Sequence, residues 1–299
     1  MPADPTPDPR TGGRSAYPTA DPWDRRVADA LAFLRGRLTG QYEVDEFGFD
    51  VQLTERVFLP MLRWLYTDWF RTEVTGAEYL PEKGGGLVVA NHAGTIAVDG
   101  LMLAVSAHDA HPAPRHLRLL GADLVFTTPI LSELARKVGT TVACHADAER
   151  LLTTGELVGV FPEGFKGVGK GYAERYRLQR FGRGGFVSAA LRTGQPIIPA
   201  AIVGSEEAYP MLADIQPLAR LLRLPYFPVT PTFPALGPLG LLPLPSKWLI
   251  EFCPPIETAD RMGQADDPMV VFDLADEVRE TIQSTVDRLL ARRPDPFAR

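Results

Sequence analysis

Two short stretches bring together side chains that could do chemistry. The first is Asn91-His92 at the end of an apolar run, with Asp99 downstream. An imidazole exchanges protons near neutral pH, and a carboxylate on its other ring nitrogen fixes the tautomer. His92 is thus placed as a general base and Asp99 as its orienting acid. The second stretch is Phe161-Pro162-Glu163-Gly164-Phe165-Lys166, an apolar run that turns into an acid and a base on a Gly/Pro backbone. Both runs read as strands, and the carboxyl ends of strands are where open α/β sheets bind ligands.

Beyond Glu163 the chain is strongly basic. Lys166, Lys170, Arg175, Arg177, Arg180, Arg183 and Arg192 face one acid, Glu174. A basic island in a chain of net charge −6 suggests an anionic ligand, most simply a phosphate. Residues 164–171 come close to a nucleotide-binding loop, but Gly171 stands where a Ser or Thr must hold Mg²⁺. There is no G-x-S-x-G elbow for a serine hydrolase. His108, His111 and His116 lie in a Pro-containing turn without a partnering Cys or Glu pattern, which reads as a surface loop and not a metal site. Cys144 and Cys253 cannot make a disulfide framework and point to a reducing compartment.

The elements that must position these residues follow from periodicity. Residues 86–90, 117–122, 140–144, 157–161, 196–203 and 248–253 are short apolar runs of strand type. Helical patterns occupy 25–38, 99–107, 129–138, 148–154 and 184–193, and a long final helix covers about 270–292. The alternation predicts an α/β fold with a mixed, mostly parallel central sheet flanked by helices, preceded by an N-terminal helical segment. Residues 1–24 are rich in Pro and poor in apolar residues and are expected to be a disordered tail. The segment 53–71 mixes Trp, Tyr and Arg into an apolar stripe, and two readings stand: a buried core helix, or a helix lying in a membrane interface. The Pro-rich stretch 225–245 cannot be helical and is either a loop sealed on the core or a lining that meets lipid.

Asn91-His92 with a downstream Asp, then Phe161-Pro162-Glu163-Gly164, then Pro196-Ile197-Ile198-Pro199 with Val203-Gly204, resembles the ordered motif set of the phospholipid/glycerol acyltransferases, relatives of lysophosphatidic acid and glycerol-3-phosphate acyltransferases. The stretch 225–248 is also similar to the diacylglycerol-acyltransferase-like branch. The resemblance covers about residues 74–256 and implies a glycerol-3-phosphate acyltransferase-like fold over 73–299, behind N-terminal helices over 25–72 that are a candidate membrane-interface anchor. It implies that His92 deprotonates an acceptor hydroxyl, which attacks an acyl thioester directly, with Asp99 orienting the ring. Asn91, Gly94, Thr95, His145, Glu163, Gly164, Lys166 and Pro199 become candidate substrate-binding residues. No metal or cofactor is implied; acyl-CoA or an acyl-carrier protein is the co-substrate.

Two departures from the family pattern matter. The usual spacing places four residues between His and Asp, which here falls on Ala97, whereas Asp99 has six. On one continuous helix that separation rises roughly 10 Å, too far for a hydrogen bond. Residues 94–97 must therefore loop before the helix begins, and Gly94 permits the bulge. Lys166 stands where the family often carries Arg; it keeps the charge but loses the bidentate fork. That leaves a neutral glyceride or long-chain alcohol as an alternative to a lysophospholipid, and a non-catalytic lipid-binding relative as another.

The expected partners are a lipid acceptor, an acyl donor and a membrane surface. Nucleic acid is not expected at a pI near 5.5. No apolar run is long enough to span a bilayer and no signal peptide is evident, so the expectation is a cytoplasmic protein held peripherally at the inner face of the cell membrane.

Overall fold

The computed structural model describes residues 22–128, 130–182 and 184–298. The tail expected over 1–24 lies almost wholly outside them. Two units are distinguished, residues 1–43 and residues 44–299. Within the first, a single helix spans Pro22–Thr39 and stops at Gly40, whose φ of +71° ends the helical path. Everything below concerns the second unit, in which the helical stretch 51–69 belongs with the sheet.

A seven-stranded sheet forms its centre. The strands are β1 (Glu73–Thr75), β2 (Gly86–Ala90), β3 (Leu117–Gly121), β4 (Thr141–Val142), β5 (Leu157–Val160), β6 (Ile197–Val203) and, after the separate β7 (Ala213–Asp214) and β8 (Pro228–Val229) pair, β9 (Leu249–Phe252). The order is β1-β9-β6-β2-β5-β3-β4, and only the β6–β9 pairing is antiparallel. Central β2 is buried along its whole length and pairs in parallel with β5 on one side and β6 on the other. The chain leaves β2 toward β3 and returns through β5, then crosses β2 to reach β6. That reversal opens a crevice at the carboxyl end of β2.

Alternation along the strands separates two cores. Leu87, Val89, Val158, Ile197, Ala201 and Val203 meet the helices His145–Thr153, Gly185–Thr193 and Pro268–Arg292. Val88, Ala90, Leu157, Ile198, Ala200 and Ile202 meet the helix Val98–Asp109 and the helical stretch 51–69. Every expected strand and helix is present, with ends moved by up to three residues. The elements that periodicity missed are short: β1, the helices Asp123–Thr127, Phe165–Val168, Ser205–Ala208 and Gln216–Leu222, the β7–β8 pair, and 3₁₀ turns at Ala77–Tyr79, Tyr172–Glu174, Gly237–Leu241 and Ala259–Gln264. The turn at Gly237–Leu241 corrects the expectation that 225–245 holds no helical turn: proline fits the first positions of one.

The stretch 51–69 is helical throughout, with π-type turns at Thr54–Phe58 and Leu65–Trp69. One face is core: Leu59, Tyr66 and Phe70 are buried, and Phe70 stacks on the fully buried Trp248 at 4.6 Å. The opposite face leaves Val57, Met61 and Trp64 exposed. The Pro-rich stretch is tied down beside it. Trp69 Nε1 donates to the Pro243 carbonyl at 3.0 Å, and the Tyr209 hydroxyl donates to Leu241 at 2.9 Å. Leu236, Leu239 and Leu242 remain exposed.

The two faces of 51–69 should respond differently to truncation. Phe70→Ala removes a fully buried ring and should cost about 3–5 kcal/mol in urea unfolding. Trp64→Ala, on the exposed face, should stay within about 0.5 kcal/mol of wild type. Equal costs would contradict this orientation of the helix.

Candidate active site

The end of β2 is fixed before any ligand arrives. Asn91 continues the ladder with its side chain: Nδ2 donates to the Ile202 carbonyl at 2.9 Å and Oδ1 accepts the Ile202 N–H at 2.7 Å. The amide was a candidate substrate contact; instead both its polar groups are committed to β6, because a buried carboxamide must find partners. His92 follows, with its backbone N–H donating to Glu163 Oε1 at 2.9 Å.

The chain then bulges. Gly94 takes φ +79°, and a Cβ there would lie 2.7 Å from the Ser205 carbonyl oxygen, so no other residue fits. The helix starts only at Val98, which brings Asp99 back over the ring. His92 Nδ1 lies 2.7 Å from Asp99 Oδ2. That oxygen also accepts the Ala93 N–H at 2.9 Å, and Oδ1 accepts the Gly100 N–H at 2.9 Å. Asp99 is fully buried at a helix N-terminus, where a negative charge is favoured. With the carboxylate acting as acceptor throughout, Nδ1 carries the proton and Nε2 presents its lone pair. The His92 side chain is 14% exposed, and Nε2 has no protein partner among the described residues. Phe161 stacks on the ring at 4.4 Å and limits its rotation.

Glu163 is 4% exposed and faces inward. Besides His92 it accepts the Gln179 N–H at 2.6 Å, so its two oxygens fix the backbone of the site. Burial pushes its carboxyl above the usual range, against the opposing pull of Lys170 and the two N–H donors. Gly164, at φ +53°, turns the chain into open space, and the exposed Phe165 and Lys166 follow. Gly167 packs on His92 so closely that a Cβ would sit 2.5 Å from the His92 carbonyl oxygen. Thr95 is buried, its hydroxyl bonded to Tyr209 O at 3.0 Å and its carbonyl to the Tyr226 hydroxyl at 2.7 Å. It anchors the bulge to the segment after β6 and is not open to substrate. Pro199 is buried in mid-strand opposite Val89, three residues short of His92. His145 is exposed at the start of its helix, with its ring against Gly185.

The basic island divides in two. Lys170 is buried and pairs with Glu206 at 3.0 Å. Glu206 also accepts the Tyr176 N–H, and the Tyr176 hydroxyl bonds Glu207, which pairs with Arg293 at 2.9 Å. Desolvation raises Glu206 and lifts Tyr176 well above its usual range. This network braces the loop after Glu163 against the final helix. Arg177 pairs with Glu174, Arg192 with Glu149 and Asp266, and Arg175 lies over Tyr172. Lys166 and Arg180 have no ion-pair partner among the described residues, and Arg183 lies outside them. Sequence reasoning missed the stacking of Phe161 on His92, the packing of Gly167 against the His92 backbone and the pairing of Lys170 with Glu206. A ring directly before Pro162-Glu163-Gly164 and a small residue four positions after Glu163 were the available signals.

Residues 71–203 match the family model described as Acyltransferase. The match contains the whole arrangement from Asn91 to Pro199. An uncharacterised protein of Mycobacterium tuberculosis is 61% identical over 272 residues, covering 91% of this chain and 76% of that protein. One from Mycobacterium leprae is 60% identical over 274 residues, covering 91% and 75%. Among solved structures, the 1-acyl-sn-glycerophosphate (LPA) acyltransferase PlsC of Thermotoga maritima superposes with a TM-score of 0.51 at 20% identity, over 82% of this chain and 79% of that one. That likeness is one of fold.

Glu163 gives a pH test of this geometry. Its folded value is raised, so its contribution to stability is fully present below the usual 4.5 and is lost as pH rises through the folded value. Glu163→Gln abolishes that titration. The melting temperature of the variant relative to wild type should therefore climb as pH rises above 4.5. A difference that stays flat would contradict burial of the charged carboxylate.

Proposed function

The chain belongs to the acyltransferase family, and from that membership we propose that it moves a fatty acyl group from an acyl thioester to a glycerolipid hydroxyl. The acceptor in this reading is a lysophospholipid of the lysophosphatidic acid type. The observation that carries it is the Nδ1–Asp99 contact at 2.7 Å, with Nε2 left unpartnered at the end of the central strand.

Nε2 accepts the proton of the acceptor hydroxyl as its oxygen attacks the thioester carbonyl. Asp99 holds the ring and stabilises the imidazolium that forms. Collapse of the tetrahedral adduct expels the thiolate, which takes the proton back from Nε2. The ring returns to its starting state and no covalent acyl-enzyme is needed. The thioester brings its own activation, so neither a metal nor a cofactor enters. Acyl-CoA and acyl-carrier protein donors both satisfy this chemistry.

Lys166 and Arg180, exposed and without ion-pair partners among the described residues, supply positive charge beside the Glu163 turn. That supports a phosphorylated acceptor. Lys166 in place of Arg favours a neutral glyceride as the second reading, since a point charge gives no bidentate grip. The lipid substrates also call for a surface, and we place the protein peripherally on the inner face of the cell membrane. No helix among the described residues is long and apolar enough to cross a bilayer. The exposed Met61 and Trp64, continued through the Trp69–Pro243 hydrogen bond toward Leu239 and Leu242, give an apolar face of the kind that enters the interface.

Labelled acyl transfer by purified protein tests the reading. His92→Ala and Asp99→Asn should each lower kcat by roughly 10²–10⁴-fold. Lysophosphatidic acid should outrun monoacylglycerol as acceptor, and Lys166→Ala should raise KM for the phosphorylated one alone. Transfer that survives His92→Ala would remove the catalytic role, and a preference for the neutral acceptor would select the second reading. In liposome sedimentation, Trp64→Asp paired with Leu242→Asp should move folded protein from pellet to supernatant. An unchanged pellet would reject the surface.

A further inference from the structure

The fold brings together three side chains that lie far apart in sequence, at the end of the Val98–Asp109 helix opposite Asp99. They are Glu55 from the first π-type turn, His108 from the last turn of that helix, and His116 just before β3. One ligand atom from each lies within 4.8 Å of the other two. We propose that these residues form a divalent metal site of two imidazoles and one carboxylate, with Zn²⁺ as the ion its donor chemistry suits.

Four features carry the assignment. His116 Nε2 and Glu55 Oε1 are 3.3 Å apart, close to the edge of about 3.4 Å that bonds of about 2.0–2.1 Å give in a tetrahedron. His108 Nδ1 is bonded to Asp109 Oδ1 at 2.7 Å, which leaves its Nε2 as the ring's lone-pair donor. Asp109 is held in turn by both arms of Arg63, at 2.6 and 2.7 Å. A carboxylate behind a ligating imidazole is the arrangement that orients metal-binding histidines. The two rings are tilted at 43° with centroids 5.0 Å apart, and both line a cavity of about 40 Å³ walled also by Leu59, Leu62, Leu101 and Leu117. Glu55 is 52% exposed on its side chain, so it can swing inward and leave the fourth position to water.

The site does not belong to the reaction centre. His108 is nine residues from Asp99 along one helix, about 13 Å of rise. A metal here fastens three segments to one another: the helical stretch 51–69, the Val98–Asp109 helix and the entry to β3. It is a clamp on the helix that carries the exposed Trp64. The histidine cluster read from sequence as a surface loop thus divides. His111 is buried with Nε2 on the Leu80 carbonyl at 3.0 Å, whereas His116 gains a carboxylate partner in Glu55 and His108 lies within 4.8 Å of both.

Zn²⁺ titration of the full-length, chelator-treated chain by calorimetry tests the proposal. One ion should bind per chain and raise the melting temperature. His116→Ala and Glu55→Gln should each weaken binding at least tenfold, and Asp109→Asn, behind the ligand, by about 10–100-fold. Glu55→Gln, at an exposed position, keeps the test open if His116→Ala fails to fold. The Co²⁺-loaded chain should show a four-coordinate spectrum without a thiolate charge-transfer band. Failure to bind stoichiometrically, unchanged affinity in Glu55→Gln, or loss of binding in Cys144→Ser would each overturn it.

Discussion

The active end of this molecule depends on one hydrogen bond made across a bulge. A carboxylate seven positions beyond a histidine cannot reach it along a helix, and here it does so only because the helix has not yet begun. Gly94 turns the chain, Thr95 is pinned on both its hydroxyl and its carbonyl, and Asp99 then lands in the first turn with three N–H groups converging on it. The cost of burying that charge is offset by those donors and by the helix end. The imidazole inherits a fixed tautomer and a fixed direction.

The surroundings keep the strand end still. Asn91 imitates a backbone unit toward β6, Glu163 grips the His92 N–H from the neighbouring strand, and Gly167 lets the following turn close over it. Behind Glu163, the buried chain of Lys170, Glu206, Tyr176, Glu207 and Arg293 ties that turn to the end of the final helix. Several residues whose types suggest ligand binding are therefore scaffolding for one ring. Preorganisation of this kind serves a proton transfer whose geometry tolerates little slack.

The sheet and its helices were legible because they are long and periodic. β2, β5, β6 and the 25-residue final helix bury continuous apolar faces, and composition alone marks such faces. His92 and Asp99 were legible because strand ends and residue types narrow the choice. The roles of Asn91, Thr95 and Glu163 were not, since a polar side chain at a strand end reads the same whether it meets a ligand or a backbone group. The stretch 51–69 defeated a single assignment because its apolar residues fall on both faces, one of them core and the other open, where Val57, Met61 and Trp64 stand among polar side chains. The grouping of Glu55 with His108 and His116 spans more than fifty residues and could emerge only from packing.

The protonation of the His92 ring tests the central claim most directly. In ¹⁵N-labelled protein at mildly alkaline pH, long-range ¹H–¹⁵N spectra assigned through His92→Gln report which ring nitrogen holds the proton. The account predicts a neutral ring protonated on Nδ1, with a downfield proton that disappears in Asp99→Asn, and an unprotonated Nε2. A ring protonated on Nε2, or one indifferent to Asp99, would contradict it.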